Sequence, residues 1–84
     1  MRLKVYSIFD KQLSVYSGLY AFANDIQADR YFENVLKQNR GDIANHPDYF
    51  SLQQVAEFDD AVGRIEPVNP VVVFELAKYF VSLN

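Results

Sequence analysis

Eighty-four residues, half of them apolar, with a formal net charge of −3 and no cysteine, specify one domain with one core. A chain this short buries only roughly 60–65% of its unfolded surface, and it has neither a disulfide nor a Cys/His zinc cluster to reinforce it, which leaves self-association as the remaining support. The acidic balance excludes a nonspecific polycation, because nonspecific nucleic-acid affinity comes from phosphates neutralised by Lys and Arg; any such binding needs local clustering.

The start, Met1 to Val5, runs straight into a strand pattern. No apolar segment is long enough for a signal-peptide core or a membrane span, so the expected location is the cytosol. Residues 3–9 alternate, predicting a strand with Leu3, Val5, Ser7 and Phe9 on a core face and Arg2, Lys4, Tyr6 and Ile8 on an outer, basic and aromatic face. After the polar break Asp10-Lys11-Gln12, the alternation of Leu13 to Tyr16 predicts a second strand in a hairpin with the first, ended by Gly18. Leu19 to Phe22 reads as a crossing loop that tucks Tyr20 or Phe22 into the core.

Asn24 is a good N-cap, Gln27 stands three residues on as in a capping box, and Asp25 and Asp29 suit the positive end of a helix. Ala28, Phe32, Val35 and Leu36 form a buried stripe, Lys37 and Arg40 fit the last turn, and Gly41 follows as a left-handed cap. Residues 42–49 then form a loop, since Pro47 cannot sit inside a helix. Strands are expected at about 50–58 and 63–68, joined by the acidic start and glycine end of a turn, Asp59 to Gly63. Pro67 and Pro70 close the sheet, and Asn69-Pro70 opens a second helix.

Val71 to Leu83 is apolar nearly all the way round. The plain reading is a β-branched run that adds an edge strand, or a fully packed helix. The sharper one is a C-terminal helix that forms a subunit contact through Val73, Phe74, Leu76, Tyr79, Phe80 and Leu83. The fold class is therefore α+β, a single domain over residues 1–84. In ββαββα order, residues 1–68 supply a mostly antiparallel sheet of about four strands with its packed helix, and residues 69–84 the last helix.

No catalytic residue is expected. His46 beside Pro47 and Asp48 would need a nucleophile and an oxyanion site to act as a general base, and neither is evident; a turn residue is the simpler reading. Glu57, Asp59, Asp60 and Glu66 lack the alternating ligands of a calcium loop and are explained by turn chemistry. No metal and no cofactor are expected, and the three glycines are too scattered for a phosphate loop. One constellation permits a binding function: Arg2 and Lys4 for phosphate, Tyr6 and Tyr16 for base stacking on the first hairpin, and Arg30 on the helix. The plain alternative is an amphipathic strand with solvated cations and half-buried tyrosines.

In order along the chain, Val5-Tyr6-Ser7-Ile8-Phe9-Asp10, Ala23-Asn24-Asp25, Ala28 to Arg30 with Phe32, His46-Pro47-Asp48-Tyr49 with Ser51-Leu52, and Phe58-Asp59 with Gly63 and Ile65 resemble the small nonstructural protein of gokushovirus-type microviruses, over residues 1 to about 68. The resemblance implies a noncatalytic phage protein of the host bacterial cytoplasm. It implies DNA binding, tied to replication of a circular single-stranded genome or its handover to packaging. The chain departs from that pattern at Gly18 to Phe22, where such proteins often carry Pro-Phe. Homo-oligomerisation would reconcile DNA binding with an acidic chain by repeating the Arg2, Lys4 and Arg30 surface. The competing expectation is an acidic adaptor whose apolar last helix docks on a viral replication protein or a host protein.

Overall fold

A computed structural model describes residues 1–38 and 41–80. The chain runs β1 (Arg2–Asp10), β2 (Val15–Phe22), α1 (Asp25–Gln38), α2 (Gly41–Asn45), a 3-10 turn (Pro47–Tyr49), β3 (Phe50–Asp59), β4 (Arg64–Glu75) and a 3-10 turn (Leu76–Phe80). The four strands form one sheet in the order β2-β1-β3-β4, every neighbouring pair antiparallel.

Capping fixes where α1 begins. The Asn24 side-chain oxygen accepts the N–H of Gln27 at 2.9 Å, and the Gln27 side chain accepts the N–H of Ala23 at 3.1 Å, a reciprocal pair that satisfies two donors at the helix start. Ala28, Phe32 and Leu36 are buried and Val35 is half-buried, as the periodicity predicts. The expected helix end at Arg40 lies outside the described residues. This stripe meets Tyr6, Ile8, Leu52 and Leu76 in one core cluster, which Tyr20 and Phe22 border. Edge-on ring contacts of Phe32 with Tyr20 at 5.0 Å and Tyr31 at 5.1 Å fill the space between helix and β2.

The expected turn between β3 and β4 is present. Asp59 accepts the N–H of Ala61 on its side chain at 3.0 Å and the N–H of Gly63 on its carbonyl at 2.8 Å, and Gly63 sits at φ +70° where a side chain would be strained. His46 occupies a turn as well. Its carbonyl accepts the N–H of Tyr49 at 3.0 Å and its ring stacks flat on Tyr49.

Three expectations are corrected. The faces of β1 are exchanged: Tyr6 and Ile8 point into the helix-side core, while Val5 and Ser7 are buried on the opposite face. Alternation alone could not choose, because β1 is a central strand with a neighbour on each edge and all four residues from Val5 to Ile8 are buried. Second, β2 does not stop at Gly18 but continues to Phe22. The register shifts between Tyr6 and Ile8, so that β2 carries one extra residue there as a bulge, and Gly18 supplies its left-handed backbone at φ +74°.

Third, no apolar C-terminal helix follows Pro70 among the described residues. Val71 to Glu75 extend β4 as an edge strand, because β-branched side chains lose less freedom on a pleated surface than against a helical turn. The prolines are tolerated there because an edge strand needs no donor on its outer side. A short 3-10 turn then folds Leu76 into the core of its own domain, where it is fully buried, and Val73, Phe74, Tyr79 and Phe80 pack around the same cluster. Leu76 is thus not a surface contact, Val73, Phe74, Tyr79 and Phe80 are half-buried against their own core, and Leu83 lies outside the described residues.

Candidate nucleic-acid interface

Arg2, Lys4 and Tyr6 share one face of β1, but that face is the helix side. Cross-strand neighbours bring carboxylates to the two cations: Arg2 contacts Glu57 at 3.4 Å and Glu66 at 3.2 Å, and Lys4 contacts Asp25 at 3.3 Å. Each of these pairs is about half exposed, so each contributes about 0–1 kcal/mol and exchanges readily with other ions. Tyr6 has no accessible surface, and its hydroxyl donates to Asp25 at 2.6 Å. Burial, reinforced by that bond, holds its phenol well above the usual tyrosine range. A ring in this position cannot stack on a base. Arg30 is exposed on α1.

A second tyrosine repeats this arrangement one helical turn on. The Tyr79 hydroxyl donates to the Asp29 carboxylate at 2.6 Å, and Lys78 contacts the same oxygen at 2.9 Å. The Tyr79 bond, followed by that of Lys78, holds Asp29 below the usual carboxylate range, while burial pushes the Tyr79 phenol up. Asp25 and Asp29 thus tie α1 to β1 and to the C-terminal turn. Beside them a shallow groove of about 280 Å³ is lined by Asp25, Ile26, Asp29, Val73, Phe74 and Lys78, and Lys78 itself occupies its cation position, 4.4 Å from the Phe74 ring centre.

Tyr16 lies on the opposite side of the sheet. Its register partner is Phe9, and the two rings are 4.7 Å apart at a tilt of 43°. The Tyr16 hydroxyl reaches over β1 to donate to the Gln53 side chain in β3 at 2.9 Å. Because Gln53 pairs with Ser7, the ring crosses β1 between Phe9 and Ser7 and shields the serine, whose hydroxyl donates to the Ser17 carbonyl at 3.1 Å. Gln53 in turn donates to the Ser51 hydroxyl at 3.3 Å. Tyr16 is pinned at its tip and along one ring face, yet it keeps 45% of its surface exposed. No buried side-chain polar atom among the described residues lacks a partner.

Both helices and the C-terminal turn contribute to the cluster on the Tyr6 side, whereas on the Tyr16 side Tyr16, Ile65 and Val72 stay 45–58% exposed around buried Val5, Ser7 and Gln53, and this is the open side among the described residues. Register places Leu3, Phe58 and Ile65 in one row there, Val5, Ala56 and Pro67 in the next, and Ser7, Gln53 and Val72 beyond. At the far end the same register brings Glu75, which Lys11 neutralises. Charge is thereby segregated: the helix side of the sheet carries the ion pairs, and the open side is neutral over most of its length. The predicted binding residues are divided by the sheet, Arg2, Lys4 and Tyr6 from Tyr16. Phe9, expected on the core face of β1, instead pairs with Tyr16 on the open side, where Gln53 joins it. The signal for Phe9 was its partnership with Tyr16 across a hairpin; nothing local marked Gln53, which is 37 residues away.

Among the described residues no group of three or more His, Cys, Asp or Glu is placed to hold a metal ion, and no helix is long and apolar enough to cross a membrane. No curated protein and no solved structure matches the chain significantly. A family model described as Phage ORF5 protein matches residues 3–79, nearly the whole sequence, and the protein thus belongs to the Phage ORF5 protein family.

Proposed function

We propose that this protein is a noncatalytic accessory factor of a microvirus-type phage, binding single-stranded DNA in the host cytoplasm during genome replication or its switch to packaging. The observation that carries this reading is the Phe9–Tyr16 platform on the open side of the sheet. A tyrosine ring whose hydroxyl is already bound by Gln53 and whose side packs on Phe9 loses little freedom when a base stacks on it, and such a stack contributes roughly 1–3 kcal/mol. Unpaired bases alone present free faces to such a surface, which favours a single strand over a duplex.

The phosphate contribution is small. Arg2 and Lys4 are already paired and face the other way, and Arg30 stands on the helix. Affinity therefore rests on stacking, and the log–log salt dependence is shallow, with a slope no steeper than about −0.7 for a single engaged phosphate. Six tyrosines and no tryptophan make intrinsic tyrosine fluorescence a direct reporter. Titration with a single-stranded oligonucleotide at low salt quenches it, and Tyr16→Ala weakens binding about 5- to 150-fold. No quenching and no gel retardation at low salt, or an unchanged affinity in Tyr16→Ala, overturns the proposal. The carboxylates around Arg2 and Lys4 favour a second reading, an acidic adaptor that docks a viral replication protein or a host protein on the neutral sheet side. That reading requires a protein inert to oligonucleotide at every salt concentration.

A further inference from the structure

The two edges of the sheet are built differently. The β4 edge carries Arg64, Glu66 and Glu75 and lacks an N–H at Pro67 and Pro70, features that discourage another strand from pairing. The β2 edge, Val15 to Phe22, has no charge and no proline, and among the described residues no strand lies on its outer side. Val15 and Leu19 are 48% and 70% exposed, and half-exposed tyrosines flank the strand on both sides of the sheet, Tyr16 on one and Tyr31 on the other, the latter packed against Tyr20 and Phe22.

We propose that β2 pairs antiparallel with β2 of a second copy of this chain about a two-fold axis, joining two four-stranded sheets into one of eight. Three observations select a second copy as the occupant. A strand meeting its own two-fold image needs no complementary sequence, since antiparallel pairing is satisfied by any strand against itself. Each chain carries a net charge of −3, and the β2 edge, which has no charged residue, lets two such chains meet without setting like charges against each other. The domain is small and has no disulfide, so added sheet hydrogen bonds supply reinforcement it otherwise lacks.

The bulge at Gly18 divides β2 into two ladders, and the two-fold matches them. With the axis beside Gly18 and Leu19, the Val15–Ser17 ladder of one copy lies along the Tyr20–Phe22 ladder of the other, over about 27 Å of edge at roughly 3.4 Å per residue. The glycines and Leu19 side chains meet at the centre. The pairing leaves the open sheet side uncovered and brings two Phe9–Tyr16 platforms toward each other. It goes beyond the DNA-binding reading and does not depend on it.

Sedimentation equilibrium of the full chain without nucleic acid tests this directly. The wild type shifts to twice the monomer mass as concentration rises. Leu19→Lys, which places two like charges at the axis, stays at the monomer mass over the same range, whereas Val62→Lys, equally exposed at the β3–β4 turn, dimerises as the wild type does. In a chain with no other cysteine, oxidised Leu19→Cys gives a covalent dimer far faster than Val62→Cys. A monomer at every concentration, a dimer insensitive to Leu19→Lys, or equal cross-linking at the two positions overturns the proposal. None of these outcomes bears on whether one chain stacks on a base, which the oligonucleotide titration reads separately.

Discussion

Tyr6 allows packing and hydrogen bonding at the centre of the sheet to be separated by two substitutions. Tyr6→Phe keeps the buried ring, with Phe22 at 5.9 Å, and removes the hydroxyl that donates to Asp25 at 2.6 Å. A hydrogen bond to an ionised partner contributes about 1.5–3 kcal/mol. Asp25 is 48% exposed on its side chain and keeps Lys4, so its carboxylate rehydrates and the loss falls at the low end, about 1.5 kcal/mol. Tyr6→Ala also empties a fully buried site, and ring-to-methyl truncations in cores cost about 3–5 kcal/mol, so the combined loss is about 4.5–6.5 kcal/mol. Against a total of roughly 4–13 kcal/mol for a domain of this length, Tyr6→Phe remains folded with a melting point lowered by about 6–12 °C, while Tyr6→Ala loses a third of its stability or more. Urea unfolding followed by far-ultraviolet circular dichroism reads both, with the same dependence on denaturant for the wild type and Tyr6→Phe. An unchanged midpoint in Tyr6→Phe would refute the bond from Tyr6 to Asp25, and a Tyr6→Ala variant no weaker than Tyr6→Phe would refute the placement of this ring in the core.

Acid sensitivity is expected at Asp29. Tyr79 and Lys78 lower its pKa in the folded state, so its contribution is fully present above the ordinary aspartate value of about 3.9 and is lost as pH falls through the lower folded value. The stability gap between wild type and Asp29→Asn, measured by urea midpoints, should therefore narrow from neutral pH toward pH 3; a constant gap would count against the Tyr79–Asp29–Lys78 cluster. Gly18 and Gly63 share a left-handed backbone, at φ +74° and +70°, but a β-carbon at Gly18 would lie 2.7 Å from the Tyr20 ring, whereas at Gly63 it meets open space. Gly63→Ala should cost about 1–2 kcal/mol for backbone alone, and Gly18→Ala about 1 kcal/mol or more beyond that because the ring must move; equal losses by chemical denaturation would show that Tyr20 does not cover Gly18.

What the sequence disclosed was mostly local. The Asn24 cap with Gln27, the Ala28–Phe32–Leu36 stripe and the Asp59–Gly63 turn are short-range devices whose chemistry depends on a few neighbouring residues, and each forms where it is expected. The failures arise where a tertiary partner decides. Whether Tyr6 or Val5 faces the helix depends on β3 and α1, both far along the chain, because residues on both faces of β1 are buried. A glycine with positive φ serves equally to end a strand or to bulge it, and pairing of Tyr20 to Phe22 with β1 selects the bulge at Gly18. The run after Pro70 could be strand or helix from hydrophobicity alone; the ladder offered by β3, to which Val71, Val72 and Phe74 pair, decides it. For the binding residues, Tyr16 was legible as a ring on a hairpin, but its pinning by Gln53 is a contact across two strand boundaries that no spacing encodes.

The burial of Leu76 has a bearing on how the domain is made. This side chain touches the same cluster as Tyr6, near the beginning of the polypeptide, and β1 finds its inner neighbour only in β3. A nascent chain that has emerged as far as β2 holds a hairpin with no floor beneath its rings, and one that has emerged as far as β4 still has a hole where Leu76 belongs. Closure is thus a late, all-at-once event that follows translation of residue 76, with the non-local strand pairing slowing it further.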